Sequence, residues 1–157
     1  MLTERREQRH YASHHQFYVE DGVNPGDTAD PSFWTAEACR DCLAISDGTL
    51  GIGTGTYGYV RVVTEIHDAE PPVDLAQWDH VTEAGLNVGS GVLRVIGCLE
   101  DTGEEFQVRP GSYSVRCCHA NLAGADELGE GSDWYLVQVW PAVETARRIL
   151  KRQAAPA

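Results

Sequence analysis

The chain has 157 residues, of which 24 are acidic and 12 are basic, so its formal net charge is −12. This length suffices for one domain that closes a single hydrophobic core without a metal ion or a disulfide. The best apolar run, residues 92–99, is interrupted by Arg94 and is too short to span a bilayer, and the charged N-terminus lacks the apolar core of a secretory signal. We therefore expect a soluble cytoplasmic protein without membrane contact, whose five cysteines are reduced thiols.

The acidic charge is concentrated in the middle of the chain. Residues 21–140 hold 20 acids and 5 arginines, a net charge of −15, whereas residues 141–157 hold one acid and four bases. A surface of this sign repels phosphate backbones and attracts basic proteins. The charge thus disfavours direct nucleic-acid binding and favours a cationic protein partner, with solubility alone as the other interpretation.

Most of the chain has the pattern of short β-strands. Residues 1–10 are charged throughout, and we expect a flexible N-terminal segment there. Beyond them, turn-forming residues recur between stretches such as residues 59–67, in which one face is apolar and the other polar. Residues 133–140 are apolar on nearly both faces, as in a central strand. The pattern predicts an all-β fold, a mostly antiparallel β-sandwich, over residues 11–141.

Two short helices are expected in addition. One is an inserted helix within residues 31–44, where Thr35 can cap the N-terminus. The other is a short basic helix with a tail over residues 142–157, whose bases lie in the last turns, where the helix dipole favours them.

The thiols raise the question of a metal site. Cys39 and Cys42 form a Cys-x-x-Cys pair, and Cys117, Cys118 and His119 follow far downstream. On a strand, Cys117 and His119 share a face and Cys118 points the other way. Zinc ligation by Cys39, Cys42, Cys117 and His119 is geometrically allowed, but buried or surface thiols are the more common state, so we expect no cofactor.

The catalytic motifs that we considered are incomplete. Residues 53–60, GTGTYGYV, match the spacing of a glycine-rich phosphate loop, but a strand pattern follows instead of a helix, and the only lysine is Lys151. We therefore interpret these glycines as a hairpin turn. The histidines near acids, such as His67 beside Glu65, are interpreted as polar strand faces. No enzymatic activity is predicted.

Two acidic loops, residues 100–105 and 126–133, are predicted to be the most charged edges of the sandwich. An aromatic side chain beside such a loop would supply affinity, while the carboxylates would set specificity and the rate of encounter. The candidate partner-binding residues are Glu100, Asp101, Glu104, Glu105, Asp126, Glu127, Glu130, Asp133 and Trp134.

The order of these features resembles that of the competence protein J family. The stretches that carry the resemblance are HHQF (14–17), FWTAEACRDCLA (33–44), SDGTLGI (46–52), RPGSYSVRCC (109–118) and DWYLVQV (133–139). The resemblance implies a small intracellular β-sandwich protein that inhibits a partner nuclease, with no catalytic motif to carry over.

Charge and resemblance together lead to one functional hypothesis. We expect a non-catalytic acidic binding protein of the inhibitor or immunity type, which occludes a basic partner protein such as a nuclease. The alternatives are a zinc-binding domain that uses the Cys/His cluster and a structural subunit of an oligomer.

Overall fold

The computed structural model describes residues 1–127 and 129–154, in which eleven strands form two sheets and one α-helix, α1, spans Ala36–Asp41. The strands are β1 (Leu2–Ala12), β2 (Gln16–Asp21), β3 (Leu43–Ser46), β4 (Thr49–Gly53), β5 (Gly58–His67), β6 (His80–Val88), β7 (Val92–Gly97), β8 (Glu104–Gln107), β9 (Gly111–Ala120), β10 (Glu130–Pro141) and β11 (Arg148–Lys151). Short 3-10 turns lie at Ser13–His15, Leu75–Gln77 and Leu122–Gly124.

The first sheet has six strands in the order β1-β5-β10-β9-β6-β11, and the second has five in the order β3-β4-β2-β7-β8. All neighbouring pairs are antiparallel except β5 and β10, which run parallel. The prediction of an all-β, mostly antiparallel sandwich is confirmed.

The core lies between the inner faces of the two sheets. In β5, Val60, Val62 and Ile66 are buried in it, as the period-two pattern predicts. The rings of Phe17 from β2 and Tyr135 from β10 meet edge to face with centroids 5.7 Å apart, which joins the two sheets. Alternation along the strands thus places one continuous apolar layer inside the sandwich.

The outer face of the six-stranded sheet is covered by the segment between β5 and β6. Trp78 from that segment packs edge to face on Trp134 of β10, with centroids 5.2 Å apart, and Cys118 is buried in the same cluster. Strand β10 is therefore covered on both faces, which confirms its predicted central position.

Helix α1 begins where the sequence predicts. The Thr35 hydroxyl accepts a hydrogen bond from the Ala38 N–H at 3.0 Å, and the helix ends at Cys42, whose φ of 57° is left-handed. The predicted span of residues 31–44 is too long, because Leu43 and Ala44 are buried in strand β3. No helix within residues 1–127 and 129–154 is long and apolar enough to cross a membrane.

The expected flexible N-terminal segment is wrong for residues 2–10, since they belong to β1. This strand pairs along its length with β5. Its charges have cross-strand partners: the Arg61 guanidinium lies 2.9 Å from the Glu7 carboxylate, and Arg5 lies 3.6 Å from Glu65. The charged sequence therefore marks an edge strand with a polar outer face.

The expected C-terminal helix is also wrong, because residues 148–151 form β11 and pair antiparallel with β6. Leu150 packs against the cluster around Trp78, and Arg148 donates to the Glu83 carboxylate at 2.7 Å. Tertiary packing and charge pairing outweigh helix propensity here. Residues 155–157 of the predicted helix and tail lie outside the described residues.

The glycine-rich segment after β4 does not form the expected hairpin, since β4 and β5 belong to different sheets. It crosses from one sheet to the other and enters β5 at Gly58, whose φ of +147° favours glycine. A Cβ at Gly58 would lie 1.9 Å from the Gly129 carbonyl oxygen. This close approach places the start of β5 directly beside the second acidic loop.

Candidate partner-binding edge

The two predicted acidic loops meet at one edge of the sandwich, on either side of Tyr11. The Tyr11 backbone N–H donates to Glu100 Oε2 at 3.2 Å. The Tyr11 side chain lines a cavity of about 410 Å³ together with Glu127 and Glu130. We call the four acids Glu100, Asp101, Glu127 and Glu130 the acidic edge.

We call the cavity at this edge the tyrosine pocket. Its lining residues are Tyr11, Tyr57, Gly58, Tyr59, Glu127, Gly129 and Glu130. The strand register brings these residues together, because Tyr11 of β1 and Glu130 of β10 both lie opposite Tyr59 of β5. Three neighbouring strands thus contribute one side chain each at the same level of the sheet.

The tyrosine rings of the pocket are partly open to solvent. Tyr11 is 38% exposed and Tyr59 is 46% exposed, and their rings meet edge to face with centroids 5.0 Å apart. Tyr57 stands behind them, with its ring centroid 6.5 Å from that of Tyr11. Its hydroxyl lies 3.2 Å from Ser13 Oγ, and its backbone N–H donates to the Asp126 carbonyl at 3.1 Å. Hydrogen bonds therefore hold Tyr57 in place behind the two open rings.

Guanidinium groups already lie on aromatic rings along this face of the sheet. Arg9 lies 5.6 Å from the Tyr59 ring centroid and 3.4 Å from the Glu130 carboxylate. One level further along the strands, Arg61 lies 4.6 Å from the Trp134 ring centroid. Cations and aromatic rings therefore alternate along this face, and a ring face that is open to solvent attracts a cation.

The first acidic loop is fixed to β1 by a buried histidine. Glu100 Oε1 accepts a hydrogen bond from the Gly97 N–H at 2.6 Å and lies 2.8 Å from Nδ1 of His10. The other ring nitrogen of His10, Nε2, faces Glu104 Oε1 at 3.9 Å. Burial lowers the pKa of His10, but the hydrogen bonds and charges of Glu100 and Glu104 outweigh it and raise the pKa above its ordinary value.

The pKa of Glu100, in contrast, is shifted downward. Burial raises it, but the bond to His10 and the backbone N–H groups of Gly97 and Tyr11 outweigh burial, so the pKa falls below its ordinary value. The His10–Glu100 contact therefore connects the loop after β7 in one sheet to β1 in the other, and the two pKa shifts favour the charged form of each partner.

Two of the predicted binding residues are buried, and a third is half-buried. Glu104 is buried beside His10, and Asp133 is buried and accepts hydrogen bonds from the Thr56 N–H at 3.2 Å and the Thr56 hydroxyl at 2.5 Å. Trp134, the predicted aromatic anchor, is half-buried between Trp78 and Arg61. The prediction is corrected for Glu104 and Asp133, whose buried side chains hold the loops in place, and it stays a prediction for the half-buried Trp134.

The other predicted acids are exposed, except Glu100, which is half-buried beside His10. Asp101, Asp126, Glu127 and Glu130 lie at or next to the acidic edge. Glu105 is exposed as well, but it lies opposite Arg94 in the β7–β8 ladder of the second sheet. The sequence did not single out Tyr11, Tyr57, Tyr59 or His10; their alternation was visible, but the strand order that brings them together was not.

The candidate zinc ligands are spread over different environments. Cys39 is exposed on α1, Cys42 is half-buried at its end, and Cys117 is buried in the core. No three His, Cys, Asp or Glu side chains among residues 1–127 and 129–154 are grouped so that they could hold a metal ion. Burial raises the pKa of Cys42 to about 11, so this thiol is protonated at neutral pH.

His119, the fourth candidate ligand, is fully buried. Its ring lies between those of His80 and Tyr135, with centroid distances of 4.9 and 5.0 Å. His80 in turn lies with Nε2 2.7 Å from the Asp41 carbonyl oxygen. Burial, together with the nearby His80, lowers the pKa of His119 well below its ordinary value, so its ring is neutral.

The fold and this edge define the class of protein: an all-β sandwich with an acidic, partly aromatic edge. No family profile and no curated protein matches the sequence of the chain. Two solved structures share its fold.

The first is the crystal structure of ComJ, an inhibitor of the DNA-degrading activity of NucA, from Bacillus subtilis. It aligns with a TM-score of 0.71 and 18% sequence identity over 90% of this chain and 99% of ComJ. The second, crocagin biosynthetic gene J, aligns with a TM-score of 0.59 and 17% identity over 88% of this chain and 97% of that chain. At these identities the likeness concerns the fold, and at that level the resemblance to the competence protein J family is confirmed.

Proposed function

We propose that this chain is a non-catalytic binding protein that occludes a basic partner protein through its acidic edge, and that the partner is a nuclease. The observation that carries the proposal is the meeting of two acidic loops, distant in sequence, on either side of Tyr11. Their exposed carboxylates include Asp101, Glu127 and Glu130.

The chemistry of such an edge suits a protein that binds nucleic-acid enzymes. A nuclease presents arginine and lysine side chains to phosphate groups, and carboxylates at fixed positions can take the place of those phosphates. The similarity in fold to ComJ, a nuclease inhibitor, supports the choice of partner class. The acidic charge at the same time opposes direct contact with nucleic acid.

The titratable side chains inside the sandwich support a role without catalysis. The rings of His10, His80 and His119 are fully buried. His10 and His80 are engaged in contacts that hold the loops and the end of α1. A general acid or base must reach a substrate, and these rings lie inside the core.

The test is a pull-down from native extract with the full-length chain as bait, at low and at moderate salt. We expect a basic protein to be retained in stoichiometric amount and to be released as the salt concentration rises. The retained protein is then assayed for nuclease activity with and without the chain, and we expect inhibition.

Two variants with the same change in net charge separate the edge from the charge of the whole molecule. Glu127→Gln/Glu130→Gln removes two charges at the edge, and Asp47→Asn/Glu144→Gln removes two exposed charges elsewhere. We expect the first variant to lose the partner and the second to keep it. Binding that is insensitive to salt, or equal loss with both variants, contradicts the proposal.

A further inference from the structure

We propose that the tyrosine pocket is the receptor for one arginine side chain of the basic partner. This inference rests on the proposed function and names the anchor within the acidic edge. It replaces the half-buried Trp134, which the sequence suggested as the aromatic anchor, by the open pair Tyr11 and Tyr59.

The pocket offers the two kinds of surface that a guanidinium group requires. The rings of Tyr11 and Tyr59 stand nearly perpendicular, at 81°, so that they form two walls of a corner. Glu127 and Glu130 lie at the rim of the same cavity. A guanidinium group can therefore stack on a ring while its N–H groups donate to a carboxylate.

Arg9 shows this geometry within the chain itself. Its guanidinium lies over the Tyr59 ring and pairs with Glu130. Both members of this pair are more than half exposed, so the pair contributes little to stability and leaves the pocket open to a competing cation. Glu127 has no ion pair among the described residues, so the pocket keeps an acid free for a second guanidinium.

A second group of one aromatic ring, one guanidinium and one carboxylate lies beside the pocket, and there all three side chains belong to this chain. Arg61 covers the Trp134 ring and pairs with Glu7 at 2.9 Å, next to the pocket on the same face of the sheet. In that level of the sheet the ring, the guanidinium and the carboxylate all come from this chain. In the pocket, Arg9 lies over the Tyr59 ring from an exposed ion pair, and among the described residues no guanidinium covers the Tyr11 ring. The cation that would complete the pocket is the one that we assign to the partner.

Arginine fits this site better than lysine does. Its guanidinium is planar, weakly hydrated and able to donate two parallel hydrogen bonds to one carboxylate, whereas the lysine ammonium is a compact and strongly hydrated charge. A site with ring walls therefore discriminates between the two cations, and a patch of carboxylates alone does not.

This difference provides the test, which uses capped hexa-arginine and hexa-lysine peptides as probes. Isothermal titration calorimetry with the full-length chain should give an affinity for hexa-arginine about two- to five-fold higher than for hexa-lysine. Tyr59→Leu should abolish this preference by weakening hexa-arginine binding alone, and Tyr59→Phe should keep it because the ring remains.

Two controls separate the pocket from general electrostatic attraction. Glu130→Gln should weaken both peptides to a similar extent, and Ile45→Ala, at an exposed apolar side chain on the other sheet, should change neither. Equal affinities of the wild-type chain for the two peptides, or a preference that survives Tyr59→Leu, overturns the proposal.

The peptide experiment tests the arginine pocket and the pull-down tests the proposed function, and either proposal can fail without the other. A nuclease that is retained and inhibited equally by the wild-type chain and by Tyr59→Leu refutes the arginine pocket and leaves the proposed function standing. An arginine preference that depends on Tyr59, in a chain that retains no basic protein, refutes the proposed function and leaves the pocket standing.

Discussion

His10 and His119 are both buried in the sandwich, and protons affect them in opposite ways. His10 is surrounded by Glu100 and Glu104, which favour its charged form. His119 has no hydrogen-bond partner for either ring nitrogen among the described residues, and its neighbours are the rings of His80 and Tyr135. The first ring therefore favours the folded state when it is protonated, and the second when it is neutral.

The first prediction concerns His119 and acid. In the unfolded chain this histidine takes up a proton near its ordinary pKa of about 6.5, whereas the folded state resists protonation, so stability is lost as pH falls below about 6.5. Each pH unit costs up to about 1.4 kcal/mol. Urea unfolding at about pH 7.5 and pH 5.5 should show that His119→Leu loses less stability between the two values than the wild-type chain does.

His10 provides a control, because its protonation changes the stability of the fold in the opposite direction to that of His119. Its raised pKa means that its contribution is fully present below about pH 6.5 and is lost as pH rises through the folded-state value. His10→Phe should therefore make the loss of stability in acid steeper. A pH profile that is unchanged by His119→Leu contradicts the assignment.

At the scale of elements, two kinds of interaction hold strand β11 in place: its short hydrogen-bonded ladder with β6, and ion pairs at its two ends. The two oxygens of Asp41, at the end of α1, pair with Arg147 at 2.7 Å and Arg152 at 2.6 Å. These contacts flank β11 on both sides and hold it against the sandwich. The Asp41 carboxylate is buried, while both arginines are partly exposed.

The second prediction is that Asp41→Asn loosens β11. The substitution removes the shared counter-charge, and we expect a loss of roughly 1–2 kcal/mol in the stability of this segment. Trypsin, which cleaves after arginine and lysine, should then cut residues 147–152 several times faster than in the wild-type chain.

The matched control for this prediction is Asp47→Asn, at an exposed acid that has no ion pair with an arginine among the described residues. We expect it to leave the rate of cleavage unchanged. If Asp41→Asn is cleaved no faster than the wild-type chain, the β6 ladder and the packing of Leu150 alone hold the strand.

The sequence predicted the elements that follow from the pattern of apolar and polar residues. It missed the strands that form only because they pair with strands distant in sequence. Strand β5 follows from period two, β10 follows from a run that is apolar on nearly both faces, and the start of α1 follows from Thr35. The termini were misjudged because a charged sequence looks the same in a flexible segment and in an edge strand. Only the partners in β5 and β6, which are distant in sequence, distinguish the two.

At the scale of the whole molecule, the candidate site was predictable in its charge and not in its shape. The acidic loops were visible in the sequence, so Glu127 and Glu130 were among the candidate residues. The tyrosine pocket depends on the parallel pairing of β5 with β10 and on the crossing of the segment before Gly58 between the sheets. Such long-range pairings leave no local signal in a single sequence.

The net charge of −12 also acts on the fold as a whole. Most ion pairs here are partly exposed and stabilise the protein little, so the excess of carboxylates produces net repulsion in the folded state. Salt screens this repulsion. The third prediction is that the melting temperature rises between about 0.01 M and 0.2 M sodium chloride, as the screening length falls from about 30 Å to below 10 Å.

The two charge-matched variants connect this repulsion with the binding edge. Glu127→Gln/Glu130→Gln and Asp47→Asn/Glu144→Gln lower the net charge equally, so both should raise the melting temperature at low salt by a similar amount. Differential scanning calorimetry measures this directly. A melting temperature that falls with salt, or that rises in only one variant, would show that local ion pairs control the stability. Equal effects on stability with unequal effects on binding would show that the charge is shared by the whole fold while recognition belongs to the edge around Tyr11.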